Sequence, residues 1–351
     1  MAHSRRAFLK TAAGTAAGTA TFTALSAPTA SAWEQKITPE KIVDLFDDLP
    51  GDKAFSILAP GADGKHKFVA KLNSQKQLFV ASSIKTFVLC EALRQAEASL
   101  PAGSTDIADE LEQKQITLDS TVWSFGSPTF FPYGPPAGLT GIVSERTTME
   151  AMITRSDNTA TDMLLNLAGA DKVRKFIASA GLKQTLIPDT TRALTGYLFG
   201  AANYLNLTFE ELVELIQSQS PQVHPFLNNV ETLASSADDF VSYYSRALQG
   251  EFFKHKETLH EFRRILTLCD FIYLIPVPLG VSAYAKSGNA DTPDFHARSF
   301  AGGMFDADHW VYFSFIINWY ASSPDDPETV EKFFAAIHQT LTGLKELLSD
   351  E

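Results

Sequence analysis

Ser82-Ser83-Ile84-Lys85-Thr86-Phe87-Val88-Leu89-Cys90-Glu91-Ala92-Leu93 is the stretch on which the reading of this chain turns. Ile84, Phe87, Val88, Ala92 and Leu93 are spaced for a buried helix. A helix that begins near Ser82 puts Lys85 on the same face, one turn on. A serine hydroxyl attacks a carbonyl usefully only with a base in reach. A lysine becomes that base once burial and a neighbouring cation favour its neutral form. The start of a helix also offers free backbone N–H groups and the positive end of the dipole to a developing oxyanion. The spacing predicts Ser82 as a nucleophile and Lys85 as its base.

Two later motifs supply the rest of the constellation. Thr147-Thr148-Met149-Glu150 reads as a capping box opening a short helix with Met149, Met152 and Ile153 on its apolar side, and a second helix carries Ala160, Met163, Leu164 and Leu167. Ser156-Asp157-Asn158 falls in the bend between them, able to offer Ser156 as a proton relay and Asn158 as an amide partner. On its own such a triplet is usually a turn or a helix cap. Lys286-Ser287-Gly288 follows the strand-like run Ser282 to Ala285, with Lys286 as the neighbouring cation, Ser287 as a substrate contact and Gly288 permitting close approach. Arg298 falls on the next expected strand, across a hairpin, where its guanidinium fork suits a substrate carboxylate. The other reading of a lone strand arginine is structural.

S-x-x-K alone is expected roughly once by chance in a chain of this size, but the three motifs in this order arise by chance in about one chain in a hundred or fewer. The set resembles the penicillin-recognising serine acyltransferases and, within them, the class A β-lactamases. That resemblance runs from about residue 38 to 349. It implies an oxyanion hole made by the backbone N–H groups of Ser82 and Asn289. It also implies an α/β (α+β) fold in which the reactive serine lies between a sheet and a mainly helical subdomain.

The order of elements points the same way. Ala54 to Pro60 and Lys67 to Leu72 read as a hairpin turning at Gly61 to Gly64. Val281 to Lys286, His296 to Met304 and Trp310 to Trp319 read as three more strands, and Pro327 to Leu348 as a helix with Val330, Phe333, Phe334, Ile337, Leu341 and Leu344 along one stripe. Both chain ends then contribute to a mostly antiparallel sheet with flanking helices.

Residues 1–32 read as an address. Arg5-Arg6 precedes a mild Ala/Gly/Thr-rich stretch and Ala30-Ser31-Ala32, which looks like a twin-arginine signal with an A-x-A cleavage site. Residues 33–351 are then one exported domain, periplasmic or secreted, with no membrane anchor after cleavage. The signal carries Arg5, Arg6 and Lys10 and no acid, so its removal moves the net charge from −12 to −15. That acidity disfavours nucleic acid or an anionic membrane surface as the main partner, and the resemblance implies a small-molecule substrate. Cys90 and Cys269 sit in apolar runs that suit buried free thiols, although export makes a bond between them chemically accessible. No metal-ligand spacing is found, and no metal or cofactor is expected.

The resemblance breaks at one point. Class A β-lactamases carry an E-x-x-x-N segment whose glutamate activates the deacylating water. The corresponding stretch here is Leu186-Ile187-Pro188-Asp189-Thr190-Thr191-Arg192-Ala193-Leu194, and the region runs on to Val223. Asp189, Glu210 and Glu211 are the candidate substitutes, and Glu210 and Glu211 also suit the start of a helix after Asn206-Leu207-Thr208. Val122 to Pro136, rich in aromatics and proline, reads as a lid or cleft wall, or as packing against the core. The expectation is a serine hydrolase that forms an acyl-enzyme on Ser82, with β-lactams as the leading substrate and slow deacylation. The alternatives are a D-alanyl peptidase or esterase, acting on an acyl-D-amino acid or ester, and a penicillin-binding sensor or trap that stalls after acylation.

Overall fold

The computed structural model describes residues 36–61, 66–124, 141–218, 221–269, 272, 277–306, 308–323 and 326–349. The expected signal and most of the aromatic, proline-rich stretch lie outside the described residues.

Strands β1 (Asp52–Pro60) and β2 (His66–Leu72) form the expected hairpin, and β3 (Leu78–Phe79) leads into the nucleophile turn. β4 (Gln115–Leu118) pairs with β5 (Gly141–Ser144), β6 (Ala234–Ser235) pairs with β3, and β7 (Ser282–Asp291), β8 (Phe295–Asp306) and β9 (His309–Tyr320) come last. The main sheet runs β2-β1-β9-β8-β7 and is antiparallel throughout. The two ends of the chain meet where β1 pairs with β9.

Alternation along the strands gives this sheet two apolar faces. Phe313, Phe315, Ile317 and Trp319 of β9 face helices Pro39–Asp47 and Pro327–Ser349, whose Ile42, Phe46, Phe333, Ile337, Leu341 and Leu344 cover them. Phe46 stacks on Phe315 at 5.6 Å, and each phenylalanine buried in this layer contributes about 1.5–3 kcal/mol. Tyr312 and Ile316 face the helical body.

Helix Ala237–Ala247 lies directly on the sheet, and helix Lys85–Ala98 runs behind it, packed against helices Asn158–Ala168, Ala170–Ser179 and Lys256–Thr267. Every residue from Lys85 to Leu93 is buried, the signature of a helix enclosed on all sides. Phe87 packs against Phe240 at 5.5 Å and Tyr243 at 4.6 Å. The carboxylate of Glu97, at the far end of this helix, accepts the N–H groups of Lys254 and His255 and the hydroxyl of Thr258. It thereby caps helix Lys256–Thr267, whose own first residue makes no side-chain cap. Cys90 and Cys269 are both buried and free. Among the described residues no helix is long and apolar enough to cross a membrane, and no cluster of potential metal ligands is present.

Two sequence expectations are corrected. The helix before Ser156 spans Glu145–Thr154 and is capped by Ser144, whose hydroxyl accepts from Thr147 N at 3.1 Å. Thr147 is therefore inside the helix, because β5 ends at Ser144 and the chain turns there. In helix Asn158–Ala168 it is Leu165 that is buried, whereas Leu167 is 47% exposed. The long region after Leu186 is organised: it holds helices Thr191–Leu198 and Phe209–Gln217, and a bridge between Leu186 and Ala234 closes its base.

Candidate active site

Ser82 sits in a single 3-10 turn, Ala81–Ile84, that runs directly into helix Lys85–Ala98. The turn is fastened from three sides. Asn318 of β9 accepts from Phe79 N at 2.9 Å and donates to Phe79 O at 2.8 Å. Val80 N donates to Leu233 O at 2.8 Å. The Ser299 hydroxyl of β8 donates to Val80 O at 2.6 Å and meets the Ser83 hydroxyl at 2.7 Å, while Ser83 Oγ also reaches Lys286 O at 3.1 Å. Ala81, immediately before the nucleophile, has φ of 47°, and Ser156 has φ of 55°. Side-chain-bearing residues in this region are strained by roughly 1–2 kcal/mol each. Here two of them flank the chemistry, and the packed turn and the helix pair hold them there.

Ser156 lies in the bend between helices Glu145–Thr154 and Asn158–Ala168. Asp157 is the cap of the second helix, accepting from Ala160 N at 3.0 Å. The aspartate of the triplet thus caps the helix, and its flanking residues reach Lys85. Lys85 Nζ donates to Ser156 O at 2.6 Å, Ser156 Oγ at 3.1 Å and Asn158 Oδ1 at 2.6 Å. From β7, Lys286 Nζ donates to Ser156 Oγ at 3.2 Å and to Ser287 O at 3.0 Å. Both lysines are buried. Burial first, and then the Lys286 ammonium, pushes the pKa of Lys85 well below the usual lysine value, while Asp157 and Asp162 pull it back up.

Strand β7 is an edge of the main sheet, and at Gly288 its backbone lies against the nucleophile turn. A Cβ on Gly288 would overlap the Val80 carbonyl oxygen and lie 2.8 Å from Ser82 N. The following residue, Asn289, is half-buried and pairs with Arg298. Ser287 is buried with its hydroxyl 4.0 Å from Cys269 Sγ.

Arg298 is not brought to this cluster. Its cross-strand neighbour on β9 is Ile317, and its side chain lies on the face of Trp319, opposite to that of Ser299. Both terminal nitrogens fork onto Asp291, Nη1 to Oδ1 and Nη2 to Oδ2, each at 2.9 Å.

Two of the three candidate carboxylates of the long loop, Asp189 and Glu211, are engaged elsewhere. Asp189 pairs with Arg174 at 2.6 Å, and Glu211 closes the capping box with Thr208. Glu210, in the first turn of helix Phe209–Gln217, lines a cavity of about 370 Å³ with Asp162, Thr190 and Arg192; Ser82, Lys85, Ser156 and Lys286 are not among its walls. Two acids passed over in the sequence hold this loop in place. Asp162 is buried and accepts from Thr191 N at 2.6 Å and Arg192 N at 3.1 Å, nailing the first loop helix to the helix that carries Asn158. Burial pushes its pKa up to about 6 against those hydrogen bonds. Its spacing of four from Asn158, on one helix face, was the available signal. Glu231 accepts from Asp189 N at 3.0 Å, joining the two ends of the loop, and burial, together with Asp189, raises its pKa to about 7.

The sequence model of the β-lactamase enzyme family matches residues 37–341. No curated protein matches the chain. Among solved structures, a β-lactamase from Sphaerobacter thermophilus is 17% identical with a TM-score of 0.60, over 86% of this chain and 95% of its own. A class A β-lactamase from Mycobacterium abscessus is 16% identical with a TM-score of 0.61, over 88% and 99%. A variant of PBP-A, as an acyl-enzyme complex with penicillin G, is 16% identical with a TM-score of 0.59, over 87% and 96%. At these identities the neighbours establish the fold, and the family match over most of the chain establishes membership: this chain belongs to the β-lactamase enzyme family.

Proposed function

We propose that this protein is an exported serine hydrolase in which Ser82 is acylated by a β-lactam and the acyl-enzyme is released slowly. The observation that carries the reading is the convergence of Lys85 and Lys286 on one hydroxyl, that of Ser156. Lys85 takes the Ser82 proton, Ser156 relays it to the leaving nitrogen, and burial, with the Lys286 ammonium beside it, lowers the Lys85 pKa toward that role. The N–H groups of Ser82 and Asn289 receive the oxyanion, with Gly288 setting the closeness of β7. Asn158 fixes Lys85, and the substrate amide meets the cleft beside it. The twin-arginine-like residues 1–32 send the folded chain to the periplasm or beyond.

Slow release follows from the loop. Acylation needs the nucleophile, its base and the oxyanion donors, whereas deacylation needs in addition an acceptor that activates water. Leu186 to Leu194 lacks the E-x-x-x-N pattern, and Asp189 and Glu211 are committed to Arg174 and Thr208. The same observation favours a second reading, a D-alanyl peptidase or esterase in which the lysines and Ser156 serve both half-reactions. A sensor or trap is the limit of no release at all.

Intact-mass spectrometry of the mature protein mixed with benzylpenicillin, followed over time, tests this. The expected result is an adduct of one equivalent that persists for many turnovers' worth of time and is lost in Ser82→Ala. An unmodified wild-type mass with no hydrolysis of the drug overturns the acyl-serine reading. Fast hydrolysis without accumulation overturns slow release.

A further inference from the structure

The Arg298 fork has a use other than substrate binding. Besides Asp291, Nη1 donates to Ala290 O at 3.3 Å and to Ala297 O at 2.9 Å, and the guanidinium carbon stands 5.7 Å from the centre of the Trp319 ring. The Asp291 carboxylate accepts a third contact, from His296 Nδ1 at 2.9 Å, and the buried His296 ring stacks on Trp319 at 5.0 Å. The Trp319 indole is fixed in turn by Asp326 at 2.8 Å. Among the described residues, the contacts of the guanidinium thus fall on the end of β7, the start of β8 and the tryptophan beneath them. Asn289, whose N–H the proposed function places in the oxyanion hole, is directly opposite Arg298 and is followed at once by Ala290 and Asp291, the two residues the fork grips.

We propose that Arg298 and Asp291 are positioning residues that lock the end of β7, and with it the Asn289 N–H, at the height of Ser82, and that a substrate carboxylate is not the partner of Arg298. The inference rests on the acyl-serine reading above. It implies that cutting the fork slows charged and neutral acyl donors by the same factor. An edge strand lacks a neighbour on its outer side, so β7 depends on β8 and on such cross-strand ties to hold one geometry. A bidentate arginine–carboxylate pair is suited to this because it fixes orientation as well as distance.

The test measures acylation of the mature protein by benzylpenicillin and by its neutral methyl ester, separating the rate constant of the covalent step from the affinity of the encounter. Variants are Arg298→Ala, Arg298→Lys, Asp291→Asn and the double variant Arg298→Ala with Asp291→Asn. The expected outcome is a loss of roughly tenfold to a hundredfold in the covalent step, equal for the acid and the ester, in each single variant. Arg298→Lys fails to rescue because one ammonium cannot fork, and the double variant is no worse than the singles. Asp291→Asn is decisive even if Arg298→Ala folds poorly. A carboxylate-binding Arg298, once freed from Asp291, would bind the acid more tightly, and an improved affinity for the acid alone overturns the proposal. So does a loss in Arg298→Ala confined to the acid. Absence of any adduct in the wild type, with either donor, removes the acyl-serine reading itself, a result distinct from these.

Discussion

Lys286 Nζ lies 3.2 Å from Ser156 Oγ, so a hydrogen bond joins a strand on one side of the cleft to a helix bend on the other. Lys85 reaches the same oxygen at 3.1 Å. Two ammonium groups on one hydroxyl repel each other, and this repulsion adds to burial in lowering the pKa of Lys85.

Removing one cation should therefore move the other's titration. In Lys286→Ala the neighbouring ammonium that helps lower the Lys85 pKa is gone, so Lys85 holds its proton to higher pH. The acid limb of the acylation rate against pH should shift upward, measured by stopped-flow mixing with a chromogenic β-lactam. A limb that stays in place would mean that Lys85 is not the group being titrated.

Gly288→Ala tests the contact between β7 and the nucleophile turn. The atoms that the new methyl would meet include Val80 O and Ser82 N, both backbone, and Val80 O is held by the Ser299 hydroxyl, so the strand must retreat. We expect a folded protein that acylates at least a hundredfold more slowly, since loss of one oxyanion donor costs about 10²–10³ in rate. Unchanged acylation, with an unchanged melting midpoint, would show that the strand need not approach so closely.

Asn318→Ala leaves both buried backbone groups of Phe79 without their side-chain partner. Each stranded group costs about 1–3 kcal/mol, so urea denaturation should show a loss of roughly 2–4 kcal/mol. A change below about 1 kcal/mol would show that water or a shift of β3 replaces the asparagine.

Asp162 gives stability a pH dependence of known sign. Its folded pKa of about 6 lies above the ordinary 3.8, so the folded state holds the proton more tightly than the unfolded chain. Stability from this group is full below about pH 4 and is lost as pH rises through about 6. Asp162→Asn cannot ionise. The stability advantage of wild type over Asp162→Asn should shrink between pH 4 and 7, read from melting midpoints, and a constant gap would refute the assignment.

Much of this was legible beforehand. The strands of both chain ends and the final helix came from periodicity that tertiary packing did not override, and the lysine and serine cluster came from three short motifs. The facing of Arg298 was not legible, because β8 is buried on both faces from His296 to Met304 and alternation cannot then say which side meets the cleft. The left-handed conformations at Ala81 and Ser156 were equally hidden: neither residue is one that favours that region, and only the surrounding hydrogen bonds impose it. Ser144 was overlooked as a helix cap because an overlapping T-x-x-E began three residues later.

The pairing of β1 with β9 sets a timetable for the protein's synthesis. Phe55 must wait for Phe315 before its strand gains its second neighbour, and the ribosome makes more than two hundred residues between them. Loop closure over such a span is slow. The early hairpin meanwhile presents an unpaired, apolar edge that can associate with other chains. Newly made molecules should thus be most vulnerable to aggregation until the last strands emerge, and shielding of that hairpin by a chaperone would raise the yield of active protein more than stabilising the helical body would.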